Sequence, residues 1–327
     1  MIGRRKFLGV LAAGLPLARL EARPRGSALR PATAQSAPYA MVLGSVQDGG
    51  LPQAGCYTDR CNRARQDPRY VTSLVLSTPE PKRADTRRYY LVDASPDLRA
   101  QMDLIDEEPF RRRAGNRRPF DGIFLTHAHM GHYLGLALMG REALAIAPTP
   151  VYCSREMRDF LSNNGPWSLM VREGRLHFPD VPTDEWFSVE EALEAKMVPV
   201  PHRPEYSDTV AWVFRGLQRT VLYLPDIDAW NKWDRRVEDV VADVDIALLD
   251  GAFFSPEEVP GRNIEDIPHP MIPDTMARLE PLLGGGRRIV FTHFNNTNPV
   301  LDEGGPEATQ VLRRGFELAR EGMVFPL

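Results

Sequence analysis

Gly122-Ile123-Phe124-Leu125-Thr126-His127-Ala128-His129-Met130-Gly131-His132 is the stretch on which the fold turns. A short apolar run with β-branched and aromatic residues reads as a buried strand, and three histidines within six residues follow it directly. His127 and His129 can project together from a turn, and His132 comes one helical step later, aimed at an adjacent position. Working outward, the same grammar recurs. Met197-Val198-Pro199-Val200-Pro201 ends in His202, Val221-Leu222-Tyr223-Leu224-Pro225 ends in Asp226, and Arg288-Ile289-Val290-Phe291 leads into Thr292-His293. Four strands thus end in a neutral nitrogen or an anionic oxygen. Strand ends on a rigid sheet are where α/β proteins place their sites. The chain has only seven histidines, so this concentration argues for metal binding. His127, His129 and His202 form a three-histidine set for zinc with a fourth position left for water. His132, Asp226 and His293 could hold a second ion beside it. Two ions about 3.5 to 4 Å apart would lower the pKa of a bound water toward 7 and polarise a substrate oxygen.

With these four included, strand-like runs lie at residues 39–45, 71–77, 89–93, 122–126, 196–200, 209–214, 220–224, 245–249 and 288–292. Several are continuously apolar, as expected where helices cover a sheet. Helical patterns fall between them, near 154–161, 233–241 and 272–283, and in a segment opened by Pro306 whose Ala308, Val311, Leu312, Phe316 and Ala319 share one face. The interleaving predicts an α/β or α+β class.

Of 327 residues, 43% are hydrophobic and 26% charged, which are ordinary globular proportions. No uncharged apolar run reaches the roughly 18 to 20 residues of a membrane helix, so no integral membrane domain is expected. The formal net charge of -4 conceals an asymmetry: residues 1–34 carry a local +6, which leaves the rest at -10. So acidic a body is a poor candidate for binding phosphate backbones, which needs clustered Lys and Arg, and nucleic acid is not the expected partner. Residues 1–34 read as an export signal, with a basic start, an apolar stretch over 7–18 and the small-x-small end Ala32-Thr33-Ala34. Arg4-Arg5-Lys6-Phe7-Leu8 resembles the twin-arginine motif, which implies the twin-arginine translocase as a partner and a periplasmic location. Residues 35–327 then form a single catalytic domain.

The ordered ligands, His-x-His-x-x-His followed by a His, an Asp and a last His on later strands, resemble the metallo-β-lactamase fold hydrolases. The resemblance implies a four-layer αβ/βα sandwich with metals at one edge of two sheets. It also implies that metal-bound hydroxide attacks an ester, amide, lactone or phosphodiester of a small-molecule substrate. One position departs from the family: Gly131 stands where an aspartate ligates the second metal. Only His132, Asp226 and His293 then remain for that site, which predicts about one tightly held ion per chain. Zinc is the expected cofactor, with iron or manganese as alternatives. Within the family, Leu43-Gly44-Ser45 with Gly49-Gly50-Leu51-Pro52-Gln53, Asp93-Ala94-Ser95-Pro96-Asp97 and His293-Phe294-Asn295-Asn296-Thr297-Asn298-Pro299 look like the pyrroloquinoline quinone biosynthesis protein B (PqqB) branch. PqqB proteins usually carry a degraded histidine motif, whereas His127, His129 and His132 are all present here. The alternative function is accordingly a PqqB-like metal oxygenase or an accessory protein of quinone cofactor biosynthesis.

A histidine at a position comparable to His269 faces the metals in related phosphodiesterases, which implies that His269 protonates a leaving group. Asp250, at another strand end, is expected to orient a ligand histidine, and Asp93 to hydrogen-bond nearby loop backbone. Glu205 and Asp208 flank His202 as candidates to support it, and His177 reads as a surface residue. Cys56 and Cys61 lie where PqqB-like proteins bind structural zinc. Two thiols cannot fill a tetrahedral site, so a disulfide is the simpler reading, with distant zinc ligands or free thiols as alternatives. Cys153 reads as core. Residues 111–118, rich in arginine, read as a solvated basic loop, and Trp230 or Trp233 as a wall of the substrate cleft.

Overall fold

The computed structural model describes residues 37–80, 83–259, 261 and 268–327. The export signal read over 1–34 lies outside these. Among the described residues the strands form two seven-stranded sheets. The first comprises β1 (Tyr39–Gly44), β2 (Ser73–Glu80), β3 (Arg83–Val92), β4 (Gly122–Phe124), β5 (Thr149–Tyr152) and β6 (Leu176–His177). The second comprises β7 (Trp186–Glu190), β8 (Leu193–Val200), β9 (Thr209–Arg215), β10 (Thr220–Leu224), β11 (Ile246–Asp250), β12 (Arg288–Thr292) and β13 (Glu317–Leu318). The last strand, β14 (Val324–Pro326), returns to pair with β1, giving the orders β14-β1-β2-β3-β4-β5-β6 and β13-β12-β11-β10-β9-β8-β7.

Each sheet is antiparallel in one half and parallel in the other. β3, β4, β5 and β6 run parallel, as do β10, β11, β12 and β13. The period of two along each strand sorts the apolar residues into layers. On β1, Ala40 and Val42 point into the core between the sheets while Tyr39, Met41 and Leu43 point out beneath helices. On β10, Val221 and Tyr223 point inward, and Leu222 and Leu224 outward. Both faces of both sheets are covered, which explains the continuous apolar runs and makes the architecture a four-layer αβ/βα sandwich. The centre of the inter-sheet core is Trp212, fully buried against Phe124 at 4.9 Å and donating from Nε1 to the Leu125 carbonyl at 3.0 Å.

The helix Arg155–Asn163 is capped by Ser154, whose hydroxyl accepts from the Met157 amide. The helix Ile272–Leu279 buries Ile272, Thr275, Met276 and Leu279. Three expectations need correction. Residues 111–118 are mostly helical, within Glu108–Gly115, because Phe110 anchors one face while the arginines line the other. The helix Pro306–Arg313 ends before Phe316, and Leu312 is exposed; only Ala308 and Val311 of that set are buried on the helix itself. Trp230 and Trp233 are buried in the outer core of the second sheet, bonded to Thr275 Oγ1 and the Pro199 carbonyl, and are not among the residues lining the cleft. No helix of the described residues is long and apolar enough to cross a membrane.

Candidate metal centre

Parallel pairing aligns the C-terminal ends of β3, β4, β10, β11 and β12 along one edge of the sandwich, and β8, antiparallel to β9, ends on the same edge. The chain leaving these ends supplies Asp93, the motif His127 to His132, His202, Asp226, Asp250 and His293. Two of the turns are tight: Asp93 and His293 have φ of 59° and 63°. That left-handed backbone is uncommon outside glycine, and it concentrates at functional sites.

Donor atoms of His127, His129 and His202 lie within 4.8 Å of one another, as do those of His127, His132 and Asp226, and those of Asp226, His269 and His293. All seven candidate residues therefore converge. Asp226 stands at the centre and is buried. Its Oδ1 lies 3.6 Å from His202 Nε2, while its Oδ2 lies 3.1 Å from His132 Nε2 and 3.3 Å from His293 Nε2. One carboxylate thus faces both halves of the centre. His132 Nε2, Asp226 Oδ2 and His293 Nε2 are buried without a hydrogen-bond partner among the described residues. Buried polar atoms are rarely left so, and a divalent cation is the group that satisfies a convergence of imidazole nitrogens and carboxylate oxygens.

Polar groups lie beside the second nitrogen of four ligand rings, while His293 Nδ1 is buried without a hydrogen-bond partner among the described residues. His132 Nδ1 lies 2.7 Å from Asp93 Oδ2, His129 Nε2 2.9 Å from Glu205 Oε2, and His202 Nδ1 3.2 Å from Asp228 Oδ1. Thr126 Oγ1 sits 3.0 Å from His127 Nδ1 and itself contacts Asp93. Such partners fix the tautomer that presents the other nitrogen to a cation. Asp93 also accepts from the Thr126 amide at 2.8 Å, so it supports the loop as expected and orients a ligand as well. Asp250 does something other than expected. Its Oδ2 lies 2.7 Å from His269 Nδ1, and its carboxylate also receives the Ile227 and Ala252 amides. Asp208 bonds Ser154 and supports no ligand. His177 is exposed and Cys153 buried. Cys56 and Cys61 form a disulfide.

Electrostatics differ sharply across the cluster. Burial and the neighbouring His132 hold His127 well below the ordinary histidine value, which favours the neutral, ligating form. Burial works against a charge on His132 too, but the Asp93 and Asp226 carboxylates outweigh it and hold that ring well above the usual range. Burial opposes ionisation of Asp226, and the surrounding His293 and His132 overcome it, so its carboxyl stays ionised far into acid. Desolvation also opposes a charge on His269, which is only partly buried, but Asp250 facing its ring outweighs this and raises it. A hydrogen bond with His202 draws Asp228 down to about 2.

Sequence reasoning missed two residues. Asp228 follows Asp226 by two positions and had no signal separating it from other loop acids. Asp48, in the loop after β1, groups with His132 and His293 with donor atoms within 4.8 Å, and its Oδ1 is another buried, unpartnered atom. Asp48 thus joins His132, Asp226 and His293 as a candidate for the second ligand group. A cavity of about 530 Å³ opens over the centre, lined by Gln47, Gln53, Arg203, Phe253, His269 and Asn295 among others.

Comparison with known proteins agrees with this geometry. Residues 88–294, from β3 to the last ligand, match the beta-lactamase superfamily domain. Coenzyme PQQ synthesis protein B of Azotobacter vinelandii is 28% identical over 309 residues, covering 86% of this chain and 97% of that protein. The protein of the same description from Pseudomonas putida is 29% identical over 317 residues, covering 88% and 100%. Among solved structures, Zn(2+)-bound PqqB from Methylobacterium extorquens superposes with a TM-score of 0.73 at 24% identity, covering 88% of this chain and 100% of that one. A diphosphatase of the PhnP family superposes at 0.62 with 21% identity, covering 89% and 97%. With its two sheets, its edge of strand-end ligands and this matched domain, the chain is similar to PqqB proteins in sequence and fold, and it belongs to the β-lactamase superfamily.

Proposed function

We propose that the protein is a divalent-metal-dependent hydrolase acting on an ester, amide, lactone or phosphodiester bond of a small molecule. The observation that carries this reading is the complete His127, His129, His202 set sharing Asp226 with a second ligand group, beneath a cavity that also exposes His269. Zinc suits the imidazole and carboxylate donors, and it supplies Lewis acidity together with a coordinated water whose pKa falls toward 7. The chain's own residues do the rest. Asp250 accepts the Nδ1 proton of His269 and favours the charged ring, so Nε2, at the cavity, can take up and release a proton; in the neutral ring Gln47 Nε2, 3.3 Å away, donates to it. This supports reading His269 as the general acid that protonates the leaving group. Arg203, Gln53 and Asn295 offer hydrogen bonds to a polar substrate, and a cavity of this size suits a small molecule.

The test is elemental analysis of protein purified from its native compartment, combined with turnover of generic ester, lactone and phosphodiester substrates before and after chelation. Zinc content with chelator-sensitive turnover supports the reading. Iron content with oxygen consumption and no hydrolysis overturns it. That second outcome supports a PqqB-like oxygenase or accessory role in pyrroloquinoline quinone biosynthesis, a reading favoured by the relatives described as Coenzyme PQQ synthesis protein B.

For location we propose the periplasm, reached through the twin-arginine translocase, on the strength of Arg4-Arg5-Lys6-Phe7-Leu8. Replacing Arg4 and Arg5 with Lys should strand the precursor in the cytoplasm, because the pathway reads paired guanidinium groups. Continued delivery to the periplasm rules this route out.

A further inference from the structure

We propose that Asp48 replaces the motif aspartate as the anionic ligand of the second cation, and that Gly131 is glycine because Asp48 fills the space a side chain there would need. The inference rests on the centre being a divalent-metal site, and it does not depend on which reaction that site performs. Asp48 Oδ1 lies 3.5 Å from His132 Nε2. It is buried and without a hydrogen-bond partner although the side chain as a whole is 37% exposed, so one oxygen turns into the centre. With Asp226 Oδ2 and the Nε2 atoms of His132 and His293, it completes a set of two carboxylates and two imidazoles.

The reciprocal fit is the stronger observation. A Cβ built on Gly131 would fall 2.0 Å from Asp48 Oδ1 and 2.9 Å from both its Cγ and its Cα. These contacts are far inside van der Waals range, so an aspartate at 131 and the carboxylate of Asp48 are alternative occupants of one volume. Gly131 lies in the short helix Met130–Tyr133, and its φ is not left-handed, so close approach rather than backbone conformation demands the glycine. The ligand has moved to another loop while its position in space is kept. Two anionic ligands then offset the charge of the second ion, where Asp226 alone would leave half of it uncompensated.

Two substitutions separate this arrangement from a centre that has merely lost a ligand. Asp48→Ala removes the carboxylate, and Gly131→Ala adds a single methyl group whose three nearest neighbours are all atoms of Asp48. The readouts are ions retained per chain after dialysis of zinc-loaded protein, and the magnetic coupling of two manganese(II) ions in electron paramagnetic resonance. The unaltered protein should retain two ions and show coupled manganese. Each variant should retain one and bind the second at least about 100-fold more weakly, the upper end of what losing a mere supporting group costs. Combining the two substitutions should cost little beyond either alone, since both act through one carboxylate. Circular dichroism of the metal-free variants controls for folding, and Asp48→Asn, which keeps the shape, should still lose the second ion. Two ions retained by Asp48→Ala, or a Gly131→Asp variant that gains an ion, overturns the assignment of Asp48 while leaving the metal centre intact. No ion retained by the unaltered protein overturns the metal reading itself, and the assignment with it.

Discussion

Asp93→Asn tests how the second ligand group is held, without touching a ligand. Asp93 is fully buried at a left-handed turn with φ of 59°, a conformation asparagine also adopts, so the substitution preserves shape. Its Oδ1 accepts the Thr126 amide at 2.8 Å and must remain an oxygen. The new amide nitrogen is therefore turned toward His132 Nδ1, which lies 2.7 Å from the present Oδ2. A donor there forces Nδ1 to accept, and the ring proton moves to Nε2, the atom that faces Asp226 and the cation. The lost bond is buried and charge-assisted, worth about 1.5 to 3 kcal/mol. At 1.4 kcal/mol per decade that is roughly 10- to 140-fold in affinity, in line with the 10- to 100-fold typical of groups that orient a metal-bound histidine. The assay is competition of zinc-loaded protein against a chromophoric chelator, which resolves the two ions by affinity. The second ion should weaken within that range, while the ion at His127, His129 and His202 changes much less. Second-ion affinity within threefold of the unaltered protein would refute the coupling of Asp93 to the centre.

Other expected outcomes concern the first ligand group, the proton donor and the core. His129→Ala should lose both the tighter ion and activity, and metal content equal to the parent's after dialysis rules that ligand out. Because Asp250 raises His269 and the general acid works only when protonated, turnover should fall as pH rises through the His269 pKa. Asp250→Asn removes the raising charge, so the fall should begin at lower pH; an alkaline limb that stays put would mean another group sets it. Trp212→Ala should destabilise the fold by about 3 to 5 kcal/mol, since it empties the inter-sheet core and orphans the Leu125 carbonyl. A urea midpoint shift equivalent to under about 1 kcal/mol would show that the core recloses.

What the sequence determined by itself is local in origin. A strand shows its buried faces through a period of two, and a ligand placed at its end is contiguous with it, so both are visible in a dozen residues. The runs before His127, His202, Asp226 and His293 were legible for that reason, as were the α/β class and the donor types. The order of these ligands carried the four-layer fold through family resemblance. Short edge strands such as β6 and β13 were not legible, because two residues have no period to read.

The tertiary structure decided which charges meet. Asp48 and Gly131 are far apart in the chain, and no local pattern ties them; closing the sandwich brings the loop after β1 against the helix that carries His132. Likewise Asp250, at a strand end like its neighbours, faces His269 rather than a ligand of the first group, because the two chain segments pack together beside the sheet edge. Trp230 looked like a cleft wall from its place beyond Asp226, yet the chain turns outward there and buries it beneath the helix Ile272–Leu279. Side-chain identity sets what a residue can bind, but for a group held in a loop only the packing of the surrounding layers fixes where that capacity is used.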